Sequence, residues 1–253
     1  MVFFLNILFV GNQHIANDHR SLNDSIKKYL QINPNKALDF GFEVLKVVNL
    51  KKPEIELVST YNLIGQVLTS QSLYAEALVY LSEALSTFKL IPKSELIEKN
   101  QKSPPWVLLN ISKLYYATGD LENAKLKSLE AEKNFLLYEN SKNREFGLNT
   151  VYGNLGLFAA KQYDFELAKE LYLKVLESRK KIKDQDGEMY AYAQLVNLYL
   201  FDKNELFKAN EYFDRSKEFY NKINQISKVK KNSLFNRNFG RFKYHRNFSL
   251  IIN

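Results

Sequence analysis

The sequence predicts an all-α chain built from repeated helical hairpins, and three observations carry that prediction. Only nine glycines and five prolines are spread over 253 residues, which leaves long stretches uninterrupted and supplies few of the turn signals that many-stranded folds need. Apolar residues recur three and four apart in run after run, the period of a helix with one buried face. A small residue in a similar setting returns at Ala37, Ala77, Ala124, Ala168 and Ala209, at intervals of 40, 47, 44 and 41, which is the spacing of a repeat architecture. Hydrophobic residues make up 45% of the chain, enough to fill the core such a stack requires.

Each alanine stands in an amphipathic run that reads as the second helix of a hairpin. Upstream of the last four lies a matching first helix, carrying Tyr61, Ile64, Gly65 and Leu68; Leu108, Ile111, Ser112 and Tyr115; Tyr152, Leu155, Gly156 and Ala159; and Tyr192, Leu195, Val196 and Tyr199. This pattern resembles the tetratricopeptide repeat family: a large residue, Leu-Gly, Tyr, then Ala, a large apolar residue and Ala. Gly65, Ala77, Leu81 and Ala84 fit it, as do Gly156, Ala168, Tyr172 and Val175. A looser set is Ser112, Ala124, Ser128 and Ala131, with the turn Thr118-Gly119-Asp120 between its helices. Small residues at these points admit the neighbouring backbone and large ones fill the gaps, so the pattern is a packing code and carries no chemistry.

The departures are local. The hairpin around Ala209 needs one extra residue in its turn, Asp202 to Glu205. The first hairpin is expected to have a compressed turn over Ile32–Asn35 and no glycine partner. Intervals above the 34-residue standard of the family imply longer helices or links, as over Lys93–Pro105, where Pro104-Pro105 opens the helix that carries Trp106. The resemblance covers residues 22–220. It implies a right-handed α-solenoid of four to five hairpins, flanked by an apolar N-terminal segment (1–19) and a basic tail (221–253), with the array itself over 20–220.

In this family the first helices line the concave face, so the resemblance implies a partner-binding groove made by Asn62 and Gln66; Trp106, Asn110, Lys113 and Tyr116; Thr150 and Asn154; and Tyr190, Gln194 and Asn197. Amide side chains donate and accept at once and can pair with the main chain of an extended peptide. A solvated helix face in an Asn-rich chain has the same composition, so both readings stand at this point. Members that clamp a terminal carboxylate hold it with cations where this chain has Asn62, Thr150 and Asn154, so recognition of an acidic chaperone tail is not expected. Long-repeat arrays of this kind are similar to the sensory or regulatory regions of bacterial signalling proteins. The implied function is protein or peptide binding, without cofactor, metal or catalysis.

The residues agree with that reading. The absence of cysteine excludes disulfides, cysteine-ligated zinc, iron–sulfur clusters and thiol nucleophiles. His14, His19 and His245 lie outside the repeats, and the first two are expected in a solvated end, too loosely spaced for a metal site. No phosphate-cradling glycine loop is present. Met1 to Val10 is an apolar run with the length of a signal-peptide core but without preceding lysines or a clear cleavage site. It reads as an export signal or as a first hydrophobic helix packed on the scaffold, and the first reading sets an expectation of an exported or periplasmic protein. It is too short to span a bilayer.

Charge separates the chain into two parts. The net charge is +8, yet the last acidic residue is Glu218 and eight basic residues follow it, from Lys222 to Arg246. The body is therefore neutral. In the tail, cations alternate with Phe and Tyr, a composition that neutralises phosphates and stacks on bases, so nucleic-acid binding is the alternative function. A solvated cap or a repeat cut short gives the same text, and the tail is expected to attract anionic surfaces only weakly.

Overall fold

The computed structural model describes residues 19–48, 50, 52–98, 104–139, 141–201 and 206–226, and among them there is no strand. The chain divides into two compact units, Met1–Glu139 and Asn140–Asn253. The first holds α1 (19–29), α2 (Pro34–Val47), α3 (Ile55–Ser70), α4 (Tyr74–Leu90), the short α5 (Lys93–Glu98), α6 (Pro105–Ala117) and α7 (Leu121–Leu136). The second holds α8 (Lys142–Lys161), α9 (Phe165–Lys181), α10 (Gln185–Phe201) and α11 (Leu206–Ile226). The helices pair as hairpins: α3 on α4, α6 on α7, α8 on α9 and α10 on α11. The all-α architecture of tetratricopeptide-like hairpins expected from the sequence is the one observed.

The recurring alanines mark one structural position. Each is the fourth residue of a second helix, in α2, α4, α7, α9 and α11, and each is fully or almost fully buried. The residue before each of the first four helices accepts the alanine N–H on its carbonyl: Asn33, Leu73, Asp120 and Asp164, at 3.1, 2.9, 3.0 and 3.1 Å. The side chains of Asn33, Asp120 and Asp164 also accept from the third N–H of their helix, which satisfies a backbone donor that has no partner within the helix.

The turns explain how one hairpin form accepts different residues. Ser72, Gly119 and Tyr163 have φ of 63°, 86° and 63°, and the next N–H reaches back to the helix just ended: Leu73 to Leu68, Asp120 to Tyr115 and Asp164 to Ala159, at 3.0, 2.9 and 2.9 Å. This closure requires a left-handed residue. Lys183 does the same between α9 and α10, with φ 57° and a bond from Asp184 N–H to the Arg179 carbonyl at 2.9 Å. The first turn lies earlier than expected, over 30–33, because Asn33 caps α2 and Pro34 takes its first position, where a missing N–H costs nothing. Residues 202–205, where an extra residue was expected, lie outside the described residues.

Close approach at the repeat glycines is as the packing code requires. A Cβ on Gly65 would lie 2.6 Å from Leu81 Cγ, and one on Gly156 would lie 2.7 Å from Tyr172 Cε1. In the third hairpin both positions are serine, and a hydrogen bond replaces the contact of glycine with a large side chain. Ser112 Oγ donates to the Ala124 carbonyl at 2.7 Å and lies 2.8 Å from Ser128 Oγ. The first hairpin has its crowded glycine on the second helix instead, Gly41, whose Cβ would meet Ile64 Cγ1 at 2.6 Å.

Candidate partner-binding face of the first helices

Neighbouring hairpins stack with their first helices side by side, α3 beside α6 in the first unit and α8 beside α10 in the second. Residues spaced three and four apart on one helix share a face. Asn62 and Gln66 on α3 thereby join Trp106, Asn110 and Lys113 on α6. Thr150, Gly153, Asn154 and Leu157 on α8 join Tyr190, Gln194 and Asn197 on α10.

In the first unit the amides link the helices. Asn110 Nδ2 donates to Asn62 Oδ1 at 2.8 Å, with Asn110 buried and Asn62 half-buried. That bond uses one polar atom of each side chain; Asn62 Nδ2, a donor, and Asn110 Oδ1, an acceptor, are the atoms it does not use. The preceding pair of helices is tied in the same manner: Thr60 Oγ1 donates to Asn23 Oδ1 at 2.9 Å, and Asn23 Nδ2 donates to the Glu56 carbonyl at 3.2 Å. Lys113 is exposed, while Gln66 and Tyr116 are half-buried. Trp106 is 37% exposed and sets its ring edge-on against Phe135 of α7, centroids 5.1 Å apart. It thus belongs partly to the packing of its own hairpin.

In the second unit Tyr190 is 38% exposed, Gln194 and Asn197 are half-buried, and Thr150 is half-buried. Asn154 is only 9% exposed, and its Nδ2 has no hydrogen-bond partner. Gly153, which sits beside it, is buried in the interior of a twenty-residue helix, where glycine costs about 0.5–1 kcal/mol relative to alanine.

His19 departs from the solvated end expected for it. It lies in α1 and is buried, because it stands one turn ahead of Asn23 on the side of the helix that meets α3. His14 and His245 lie outside the described residues, as do the apolar run 1–10 and the tail from 227. Among the described residues no group of His, Asp and Glu is placed to hold a metal ion, and no helix is long and apolar enough to cross a membrane.

Residues 150–182, which cover most of α8 and all of α9, match the family model described as tetratricopeptide repeat. That match places a tetratricopeptide repeat on the α8–α9 hairpin, and both units share the hairpin geometry; repeats of this type typically serve as protein-binding scaffolds without enzymatic activity. Solved structures with the same fold include BtubC (BKLC) from P. vanneervenii, with a TM-score of 0.57 and 16% identity over 84% of this chain and 92% of that one. A Podosopora anserina protein named as a kinesin light chain, with nearly identical TPR-like repeats, is similar in two structures. A single-substitution form of it has a TM-score of 0.54 at 13% identity, over 81% of this chain and 96% of that one; the other structure has a TM-score of 0.51 at 13% identity, over 81% and 95%. At such identities the likeness carries the fold alone. A search of curated proteins found no match.

Proposed function

We propose that this chain is a non-enzymatic scaffold that binds a protein or peptide segment along the first-helix faces of its two units, with residues 20–220 as the binding array and the segments 1–19 and 221–253 as accessories. The observation that carries the reading is the pairing of first helices. In the first unit Asn62 and Asn110 bond across α3 and α6 and leave a donor and an acceptor of the kind an extended main chain needs. The same face in the second unit presents Tyr190 and Gln194. In its finer form the reading makes the chain the sensory or regulatory part of a signalling protein.

A photo-crosslinking side chain placed at Lys113 or Asn197 is expected to capture a protein from the native proteome. The same group at Glu76, exposed on the second helix α4, is expected to capture none. Deletion of 227–253 is expected to leave the capture unchanged. Capture from Glu76 but not from Lys113 or Asn197 would refute the first-helix reading, and loss of capture on deletion would move the binding site to the basic tail.

A further inference from the structure

The first hairpin presents an apolar outer face. Leu22 and Tyr29 stand two helical turns apart on α1, as do Phe40 and Val47 on α2, so each pair shares one side of its helix. The two sides meet where the Tyr29 ring stacks on Phe40, with centroids 5.7 Å apart, and Lys36 Nζ lies 4.3 Å from the Tyr29 centroid at the rim. Leu22, Tyr29 and Phe40 are half-buried and Val47 is 55% exposed. On α4 the same two places after the recurring alanine are Tyr80, whose ring lies 6.2 Å from Phe42 of the preceding hairpin, and Thr87, which is buried. Among the described residues no helix precedes α1 to cover its hairpin in that way. The outer face of a terminal repeat is ordinarily polar, and an apolar one asks for a cover.

We infer that the chain covers this face with its own apolar run, Met1–Val10. Every residue of the run except Asn6 is apolar, and the run is too short to cross a bilayer, so the face of the first hairpin is the surface on which it can be buried. It joins α1 through residues 11–18, a link that reaches about 26–29 Å when extended, whereas α1 is about 15 Å long. Every part of the face is therefore within range. In helical form the run would span about 15 Å, against about 10 Å from Phe40 to Val47 along α2, so one segment suffices to cover both. A tethered segment meets its site at an effective concentration on the order of millimolar, which sets a second copy or a separate partner at micromolar concentration at a disadvantage. The run carries no charged side chain, and it meets a face whose cations, Lys28 and Lys36, stand over the Tyr29 ring at its edge.

The chain contains no cysteine, so engineered pairs report the contact without background. In the full chain Phe3→Cys, Leu5→Cys, Ile7→Cys or Phe9→Cys is combined either with Val47→Cys or with Leu126→Cys, the latter at a position 60% exposed on α7, and the pair is treated with a short bismaleimide. Mass spectrometry of the monomer is expected to find linkage to position 47 about tenfold or more above linkage to position 126 for at least one of the four. In a second measurement the lone Val47→Cys thiol is expected to react with a soluble maleimide about threefold or more faster once Phe4→Asp and Leu8→Asp are added, because charges placed in the run drive it off an apolar face. Equal linkage to both positions, linkage only between two chains, or an unchanged thiol reaction rate would overturn the inference. Protein from the native host that lacks residues 1–10 would overturn it as well, since a cleaved segment covers nothing.

Discussion

The same substitution at two glycines of one helix, three residues apart, is expected to change stability in opposite directions. At Gly156 a Cβ would lie 2.7 and 2.9 Å from Cε1 and Cδ1 of Tyr172 and 3.3 Å from Leu171 Cβ, against an optimum of about 3.5–4.0 Å for carbon pairs. Tyr172 is 2% exposed and packed among Ala159, Ala168 and Leu195, so its ring cannot retreat the better part of an ångström without displacing other core side chains. Overpacking of this kind costs roughly 1–3 kcal/mol, and the helix-propensity gain of Ala over Gly offsets about 0.5–1 kcal/mol of it. Gly156→Ala should therefore destabilise by about 1–2 kcal/mol, whereas Gly153→Ala, which meets only Tyr190 Cε1 at 4.0 Å, should collect the propensity gain alone and stabilise by about 0.5–1 kcal/mol. Urea unfolding followed by far-ultraviolet circular dichroism measures both as shifts of the midpoint at constant slope. In a Tyr172→Ala background the Gly156→Ala penalty should largely disappear, a coupling of about 1–2 kcal/mol. Shifts of the same sign for the two glycines, or a penalty at Gly156 that survives removal of the Tyr172 ring, would refute the packing argument.

Asn149 is 2% exposed with its Nδ2 unpaired and occupies the place held by buried Val58 in α3 and buried Met189 in α10. Asn149→Leu should raise stability by about 1–3 kcal/mol, and a lower urea midpoint would show that the amide has a partner such as an ordered water. Tyr163 holds a left-handed φ of 63° and is largely exposed, so Tyr163→Gly should stabilise by about 0.5–1 kcal/mol on relief of that conformation; an unchanged or lower midpoint would argue that its edge-on contact with Phe165 matters more. The Asp120 carboxyl is held below the usual range, first by the hydrogen bond from the Asn123 side chain and then by the Asn123 backbone N–H. A depressed folded value means that this cap stabilises above the unfolded carboxylate pKa and is lost as pH falls through the folded one. The stability gap between parent and Asp120→Ala should thus be widest near neutral pH and close in acid, and a gap independent of pH would contradict the assignment.

The parts of this fold that were legible in the sequence are those that a repeat forces. Five alanines at intervals of 40 to 47 marked the fourth residue of each second helix because the neighbouring backbone tolerates little else there. Gly65 and Gly156 were readable for the same reason. The turns were less so: Ser72, Tyr163 and Lys183 adopt a conformation that usually announces itself as glycine, and only Gly119 did so. The division after Glu139 left no composition shift to read, and α5 was visible only as an overlong link. At the candidate face the family pattern named Asn62, Asn110 and Asn154 correctly as first-helix residues, but side-chain exposure is a property of packing. Sequence spacing could not show that Asn62 and Asn110 bond to each other, or that Asn154 is buried. Gly153 stands three residues before Gly156, as Asn62 stands before Gly65, and was passed over because it brings no side chain to that position.

Hydrogen–deuterium exchange of the full chain, alone and with a captured partner or selected peptide, tests the first-helix face most directly. Backbone amides whose helices are pinned by a ligand open less often and exchange more slowly. The partner-binding reading predicts added protection on α3, α6, α8 and α10, with α4, α7 and α9 unchanged. Protection confined to α4, α7 and α9, or to the segment beyond residue 226, would contradict it.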